Sequence, residues 1–248
     1  MGSGFISTNF SYPLKDPRWV LKLTIGSLLI LASMAIPLIP LFFVAGFCLR
    51  IMQRVIHGDG QPHLPEWEDW EWLFKQGFRL SEAGLVYAMP GLILFIVGYI
   101  MVFFPLLGMS LSSMTSSGLQ PLSPDASILL NKGVIVLGVA TCLTLAGAFL
   151  SAPAAMHMVA KDDVKAIFRI REWWPALQHA PGQFIGAFVL ITLAAILLMI
   201  LVTALTASVI LCLPATILFC AGSMVLSLIA SALFASAYRK GMSHPSSN

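Results

Sequence analysis

The sequence is poor in charge and in cysteine. Only 10% of its 248 residues are charged, whereas 58% are hydrophobic, which lies far outside the composition of soluble domains. The net charge of +3 is small and spread along the chain, so the composition excludes a nucleic-acid partner. We therefore interpret the chain as a polytopic membrane protein that contacts membrane lipid.

The few cysteines do not indicate disulfides or a metal site. All four lie inside apolar runs, where cysteine behaves as a small hydrophobic residue, and their spacings are unlike those of metal motifs. They are Cys48, Cys142, Cys212 and Cys220. The stretch His57 to His63 offers imidazoles, but its glycines and proline suit a tight turn and no fourth ligand is evident. We expect neither a metal nor a cofactor.

Asp, Glu, Lys, Arg and His side chains are missing from three long apolar segments, residues 84–107, 184–207 and 211–237. Ion-coupled transporters and intramembrane enzymes commonly carry such side chains at membrane depth. The exposed carboxylates elsewhere lack the burial that splits the pKa values of an acid and a base. We therefore predict no catalytic residues and no enzymatic activity.

Five apolar segments are long enough to cross a bilayer as helices, and none has the period-two alternation of a strand. They cover residues 20–49, 83–107, 128–159, 184–207 and 211–237. The predicted fold is an all-α membrane helix bundle that forms one domain, residues 1–248. In it, residues 1–107 are a first half, residues 108–127 an external linker, and residues 128–248 a second half.

The basic residues indicate orientation, because Lys and Arg are retained in cytoplasmic loops. Thirteen of the 14 fit one side of the membrane, and Lys132 is the exception. Both termini are then cytoplasmic. Residues 50–82 must lie on that side as well, so the segment 20–49 cannot be a simple single span.

The length of the segment 20–49 supports this conclusion. A helix of 30 residues is about 45 Å long, which is too long for one crossing of the membrane and too short for two. Pro37 and Pro40 interrupt it. We favour a re-entrant hairpin of two short helices, residues 20–35 and 41–54, followed by four full spans. The alternative is one long kinked span that leaves residues 50–82 outside the cell.

A tryptophan-rich acidic stretch follows the hairpin. If Pro65 takes the first helical position, Trp67, Trp70 and Phe74 lie on one face, and the carboxylates fall at the positive end of the helix dipole. We predict a flat amphipathic helix whose tryptophans sit at headgroup depth with hydrated indole N–H groups. The candidate lipid or partner contacts here and in the second half are Glu66, Trp67, Glu68, Asp69, Trp70, Trp72, Trp173 and Trp174.

Residues 164–174 repeat this arrangement in basic surroundings, which predicts a second interfacial amphipathic helix and suggests a pseudo-repeat of the two halves. The acidity of the first stretch has two explanations, because anionic lipid would repel it. Its carboxylates pair either with Lys165, Arg169 or Arg171 of the second half, or with an external basic partner.

A row of small residues four apart marks the last apolar segment, and such a row lets another helix approach closely. It consists of Ser223, Ser227, Ser231 and Ala235. We predict helix packing along it, either within this bundle or against another protein.

Several motifs resemble an uncharacterised prokaryotic membrane family, domain of unknown function 4013. They are Lys15-Asp16-Pro17 with Trp19, Lys22 and Gly26, the stretch LPEWEDW at residues 64–70, PGQF at residues 181–184 and AYRKG at residues 237–241. The resemblance implies a multi-pass protein of the bacterial or archaeal cytoplasmic (inner) membrane. It implies no activity.

These observations predict a non-enzymatic integral membrane protein that acts as an accessory, assembly or lipid-organising component. Its expected partners are membrane lipid and a larger membrane complex or further copies of itself. The alternative is a transporter or channel for an uncharged or lipid-like solute.

Overall fold

The computed structural model describes residues 16–58, 64–115, 123–208 and 211–243, with the side chains of 112–115 left out. These residues form seven α-helices and contain no strand, so the predicted all-α fold class is confirmed. The helices are α1 (Trp19–Ala32), α2 (Ile39–His57), α3 (Trp70–Thr115), α4 (Pro124–Lys161), α5 (Ile170–His179), α6 (Pro181–Thr206) and α7 (Cys212–Met242). A short 3₁₀ helix, Val164–Phe168, precedes α5.

Five of these helices, α2, α3, α4, α6 and α7, are long and apolar enough to cross a membrane. α1 is also apolar but has only 14 residues. The chain is therefore a multi-pass membrane protein.

The predicted break in the first apolar segment is confirmed, because α1 ends at Ala32 and α2 begins at Ile39. The second arm differs from the short helix predicted at residues 41–54. It has 19 residues and is long enough to span by itself.

A tight turn centred on Leu38 joins the two arms. Leu38 has a φ of 72° and a ψ of −48°, and the Ile39 N–H donates to the Pro37 carbonyl at 3.0 Å, which is a γ-turn of the strained kind. Pro40 has no N–H to satisfy at the start of α2. Both features reduce the number of backbone N–H groups that lack an acceptor. A chain reversal in hydrocarbon requires this, because no water is present to accept their hydrogen bonds.

The two arms fold back on each other. Lys22, near the start of α1, donates to the Leu64 carbonyl, and Arg50, near the end of α2, donates to the Glu66 carbonyl. The start of α1 and the end of α2 therefore lie at the same end of the fold. The alternative of one long kinked span is wrong.

The first amphipathic helix does not exist as a separate element, contrary to prediction. Residues 64–69 are not helical, and α3 runs without interruption from Trp70 through the predicted span at residues 83–107. Asp69 determines this start, because its φ of 56° is not helical and its carboxylate accepts the Trp72 N–H at 3.3 Å. Pro65 therefore precedes the helix instead of starting it.

The predicted linker at residues 108–127 is also shorter than expected. Helix α3 continues to Thr115, and α4 begins at Pro124, a residue suited to the first helical turn. Gly108 and Ser110 therefore lie within α3 and do not end it.

The chain divides into two compact units. The first unit comprises Met1–Ala83 and Ala152–Asn248, and the second comprises Gly84–Ser151. These boundaries differ from those of the predicted halves, whose division stays a prediction. In the first unit, α7 is central and packs against α1, α2, α5 and α6.

The second unit is a pair of antiparallel helices in close contact. A Cβ at Gly91 or Gly98 of α3 would meet Thr144 or Leu137 of α4, and one at Gly147 would meet the Tyr87 backbone. The glycines of α3 lie seven residues apart, which keeps them on one helix face. Small residues at such a face permit close packing in a membrane.

Two glycines of α3 provide a matched test of close backbone packing. A methyl group at Gly77 would collide with the Phe42 carbonyl of α2, whereas one at Gly84 meets open space. We expect Gly77→Ala to lower the free energy of unfolding by about 1–3 kcal/mol because backbone atoms must move. Gly84→Ala should leave stability unchanged or raise it. Unfolding of both variants in detergent checks this, and equal losses would contradict it.

Candidate functional site at the charged end of the first unit

Polar side chains from several elements of the first unit meet at one place, which we call the charged end. It lies where α1 begins, where α2 and α7 end, and where residues 64–69 lead into α3. Arg239 of α7 donates to the Val55 carbonyl of α2 at 3.1 Å, and Arg18, before α1, pairs with Glu66 at 3.2 Å. The candidate site is therefore built from residues far apart in sequence.

A buried lysine organises this end. The Lys22 side chain is 4% exposed, and its ammonium contacts the Asp16 carboxylate at 2.9 Å, the Leu64 carbonyl at 2.8 Å and the Glu66 carboxylate at 2.9 Å. The ammonium donates hydrogen bonds to Asp16 and Leu64 and forms an ion pair with Glu66. Burial of this charge is tolerated because it is hydrogen-bonded and paired with carboxylates.

Asp16 is the matching buried anion. Besides Lys22, it accepts the backbone N–H groups of Arg18 at 2.8 Å and Leu64 at 2.9 Å. Burial alone would raise the pKa of its carboxyl, but the hydrogen bonds from Lys22 and from the two backbone N–H groups outweigh this, and the pKa lies below its ordinary value. Asp16 is therefore held as a carboxylate that ties the start of α1 to residue 64.

Trp67 lies inside the protein and not at a hydrated interface, contrary to prediction. Its ring stacks on Phe47 of α2 with centroids 4.2 Å apart, and the centroid of the Trp70 ring lies 5.8 Å away. Its indole N–H donates to the Lys22 carbonyl at 3.0 Å. The prediction failed because residue 67 precedes the helix, so helical spacing does not describe its direction.

Arg50 binds the backbone and side chains of the acidic stretch. Its guanidinium donates to the carbonyls of Glu66 and Glu68 at 3.3 Å, lies 3.9 Å from the Asp69 carboxylate, and sits 4.4 Å from the Trp72 ring centroid. One planar cation thus satisfies backbone carbonyls that have no helical partner.

The acidic stretch finds its ion-pair partners in the first half of the chain. Glu66 pairs with Lys22 and with Arg18, the latter at 3.2 Å. The predicted pairing with Lys165, Arg169 or Arg171 is wrong, because hairpin folding brings nearer cations to these carboxylates. The Glu68 carboxylate is exposed and makes no ion pair with any residue that the structure describes.

A second buried polar cluster joins α4, α5 and α7, and sequence reasoning missed it. His157 is 1% exposed, and its Nδ1 lies 2.7 Å from the Tyr238 hydroxyl and its Nε2 lies 3.1 Å from the Glu172 carboxylate. Residue 238 is 81 positions away, so no local pattern could have shown the contact.

One arrangement of protons satisfies all three groups: the His157 Nε2–H donates to Glu172, and Nδ1 accepts the hydroxyl hydrogen of Tyr238. Such a series of hydrogen bonds can hold or pass a proton. However, none of these residues lines the three grooves described below. The cluster thus joins three helices without facing any of these grooves.

The two tryptophans of the second half differ in burial, although their ring centroids lie only 6.1 Å apart. Trp173 is buried, and its indole N–H donates to the Ile167 carbonyl at 3.2 Å, just as Trp67 donates to Lys22. Trp174 is 42% exposed. Their predicted roles in lipid or partner contact stay predictions.

The row of small residues on α7 faces the interior of the first unit over part of its length. Ser231 and Ala235 are buried, and the Cys48 thiol of α2 contacts the hydroxyls of Ser227 and Ser231. Ser223 is partly buried. This part of the row lets α2 and α7 approach closely.

Three apolar grooves are open on the surface of the first unit. One lies between α1 and α7, has a volume of about 480 Å³, and extends from Trp19 to Leu31. Another lies between α6 and α7 beside Gly222, and a third follows α6 from Ile191 to Ala204. None of the residues that line these grooves is charged, so the grooves suit hydrocarbon chains.

A family profile described as "Protein of unknown function (DUF4013)" matches residues 28–207, most of the chain. The chain belongs to this family. No curated protein matches it, and no solved structure matches it.

The family match includes some elements of the charged end and leaves out others. The LPEWEDW stretch, Arg50 and His157 lie inside residues 28–207, whereas Lys22 and Tyr238 lie outside. Each polar cluster therefore joins residues of the family region to a residue beyond it.

Removal of the buried ammonium tests its structural role. Lys22→Met leaves the Asp16 carboxylate and the Leu64 carbonyl buried without their donor, so we expect the free energy of unfolding to fall by about 3–5 kcal/mol. The matched control is Lys75→Met, which removes an exposed pair with Glu71 and should have little effect. Denaturant unfolding in detergent compares them, and a small loss for Lys22→Met would contradict the role.

Proposed function

We propose that this protein is a non-enzymatic component of a prokaryotic cytoplasmic membrane that acts through contacts as an accessory or assembly factor. Its apolar helices contact lipid and neighbouring membrane proteins, and its charged end contacts a partner on the cytoplasmic side. The single observation that carries this proposal is a contrast between two sets of side chains. The buried polar groups are bonded within the chain, whereas the exposed apolar faces are not covered by the part of the chain that the structure describes.

The buried polar groups support a structural role. The Lys22 ammonium has three acceptors, and both ring nitrogens of His157 are engaged within the chain. A catalytic group needs a free position toward a substrate. Groups with every position filled by the protein itself are better suited to holding helices together.

The exposed apolar surface supports contact as the mode of action. In its most apolar 18-residue window, α6 has 6% of its residues buried, whereas α7 has 39%. Side chains such as Leu197 and Ile200 are therefore left for lipid or for another membrane protein. The bilayer covers such faces without cost, and a neighbouring helix can replace it.

The charged end supports the orientation. Arg18, Lys22, Arg50 and Arg239 all contribute to it, and basic residues are retained on the cytoplasmic side. Both termini are then cytoplasmic. The exposed Glu68 carboxylate projects from this end, and it fits a partner with a basic cytoplasmic surface.

A second candidate is a transporter of an uncharged or lipid-like solute. The groove between α1 and α7 favours it, because the groove is apolar and has a volume of about 480 Å³. However, this groove is open on the surface, whereas a transport site lies in a cavity among the helices that can close. Contact is therefore the better-supported function.

Charge reversal at Glu68 tests the partner contact. This carboxylate has no ion pair in the described part of the chain, so Glu68→Lys should leave the fold intact. We expect it to reduce the amount of co-purifying membrane protein several-fold, because a basic partner surface would now be repelled. The measurement is quantitative mass spectrometry of the tagged full chain from its own membrane in mild detergent.

Asp125→Lys is the matched control, because it makes the same charge change at an exposed residue at the start of α4, on the predicted external side. It should leave the associated proteins unchanged. The proposal is wrong if the full chain purifies without associated membrane proteins, or if Glu68→Lys and Asp125→Lys retain the same proteins in the same amounts.

A further inference from the structure

We propose that the segment between α4 and α6 carries a binding surface for anionic phospholipid headgroups. The surface, which we call the basic patch, consists of Lys165, Phe168, Ile170, Arg171 and Trp174. It concerns a different ligand from the protein partner proposed above, and it does not depend on that partner.

The 3₁₀ helix places the first two residues of the basic patch together. In a 3₁₀ helix, residues three apart share a face, so Lys165 and Phe168 project in the same direction. Ala166 and Ile167 between them are buried. Phe168 is 64% exposed, although it is one of the most apolar residue types.

Helix α5 adds the other three residues. Ile170 and Trp174 lie four apart and Arg171 and Trp174 three apart, which places them on one side of the helix. Ile170 is 52% exposed. The opposite side is buried through Trp173, which is fixed to the Ile167 carbonyl. The contacts of the buried side therefore fix the position of the exposed side.

The cations of the basic patch are available to a ligand. Lys165 and Arg171 are exposed, and neither makes an ion pair with any residue that the structure describes. Their neighbour Arg169 is different, since it contacts Asp163 at 3.2 Å and Glu172 at 3.8 Å. Two positive charges therefore stand beside three exposed apolar side chains without a compensating anion of their own.

The location of the basic patch selects lipid as the occupant. It lies between the end of α4 at Lys161 and the start of α6 at Pro181, two helices that can span a membrane. Such a connection lies at the depth of the headgroups. Exposed aromatic and aliphatic side chains beside Lys and Arg bind the interface of an anionic membrane, with the apolar groups inserted and the cations on the phosphates.

The test measures lipid binding by the full chain in detergent with native mass spectrometry. The lipids are phosphatidylglycerol, which is anionic, and phosphatidylethanolamine, which is zwitterionic. A basic residue at an anionic surface contributes about fivefold in binding, so Lys165→Gln with Arg171→Gln should weaken phosphatidylglycerol binding by about 25-fold. Binding of phosphatidylethanolamine should change little.

Two further variants serve as controls. Lys75→Gln with Lys132→Gln removes the same net charge from exposed lysines elsewhere and should retain the preference for phosphatidylglycerol. Lys165→Arg with Arg171→Lys keeps the charge and should also retain it. A competition arm with inorganic phosphate distinguishes a free anion from a lipid, and phosphate should not displace phosphatidylglycerol.

The proposal is overturned by any of three results. Phosphatidylglycerol binding could be unchanged when Lys165 and Arg171 are neutralised, or fall equally when Lys75 and Lys132 are. Inorganic phosphate could compete at millimolar concentration, which would indicate a soluble anion instead of a lipid. Because these residues differ from Glu68, loss of the lipid preference and loss of the protein partner are separate outcomes.

Discussion

A buried ammonium at the edge of a membrane must be hydrogen-bonded and paired with anions, and this requirement explains the first third of the chain. Lys22 donates to Asp16 and Leu64 and pairs with Glu66, and these residues come from both sides of the hairpin. The hairpin must therefore close, and residues 64–69 must stay extended to present a backbone carbonyl. Asp69 then starts α3 only at Trp70. Because each partner depends on the others, the loss of one leaves buried charge or unpaired backbone behind.

The buried polar clusters and the exposed apolar surface have different roles. Lys22 and His157 make their hydrogen bonds and ion pairs inside the first unit, so they fix the helices against one another. The outward faces of helices such as α6 are apolar and face hydrocarbon. We propose that exposed charged side chains carry recognition: Glu68 on the acidic stretch, and Lys165 with Arg171 on the basic patch. Their opposite charges suit a basic protein surface and an anionic lipid surface respectively.

Local sequence patterns were sufficient to predict the helices, but they were insufficient to predict which side chains meet at the candidate site. The apolar run at residues 184–207 predicted α6 to within a few residues, and Pro37 predicted the break between α1 and α2, because hydrocarbon thickness and proline geometry act locally. Trp67 was misplaced, since its direction depends on Lys22, 45 residues away. The partner of His157 could not be predicted either, because Tyr238 reaches it only through the packing of α7. The sequence contained the participants of both clusters but no signal for their pairing.

The central claim is that the chain reverses at Leu38, so that the start of α1 and residues 64–69 share the cytoplasmic side. Cysteine labelling in intact cells tests it most directly, in a chain whose four native cysteines are replaced by serine. With a membrane-impermeant reagent, a cysteine in place of Ser123, before α4, should react from outside, and a cysteine in place of Glu68 should react only after the cells are permeabilised. Reaction of the residue 68 cysteine in intact cells would contradict the cytoplasmic placement of residues 64–69 and the account built on it.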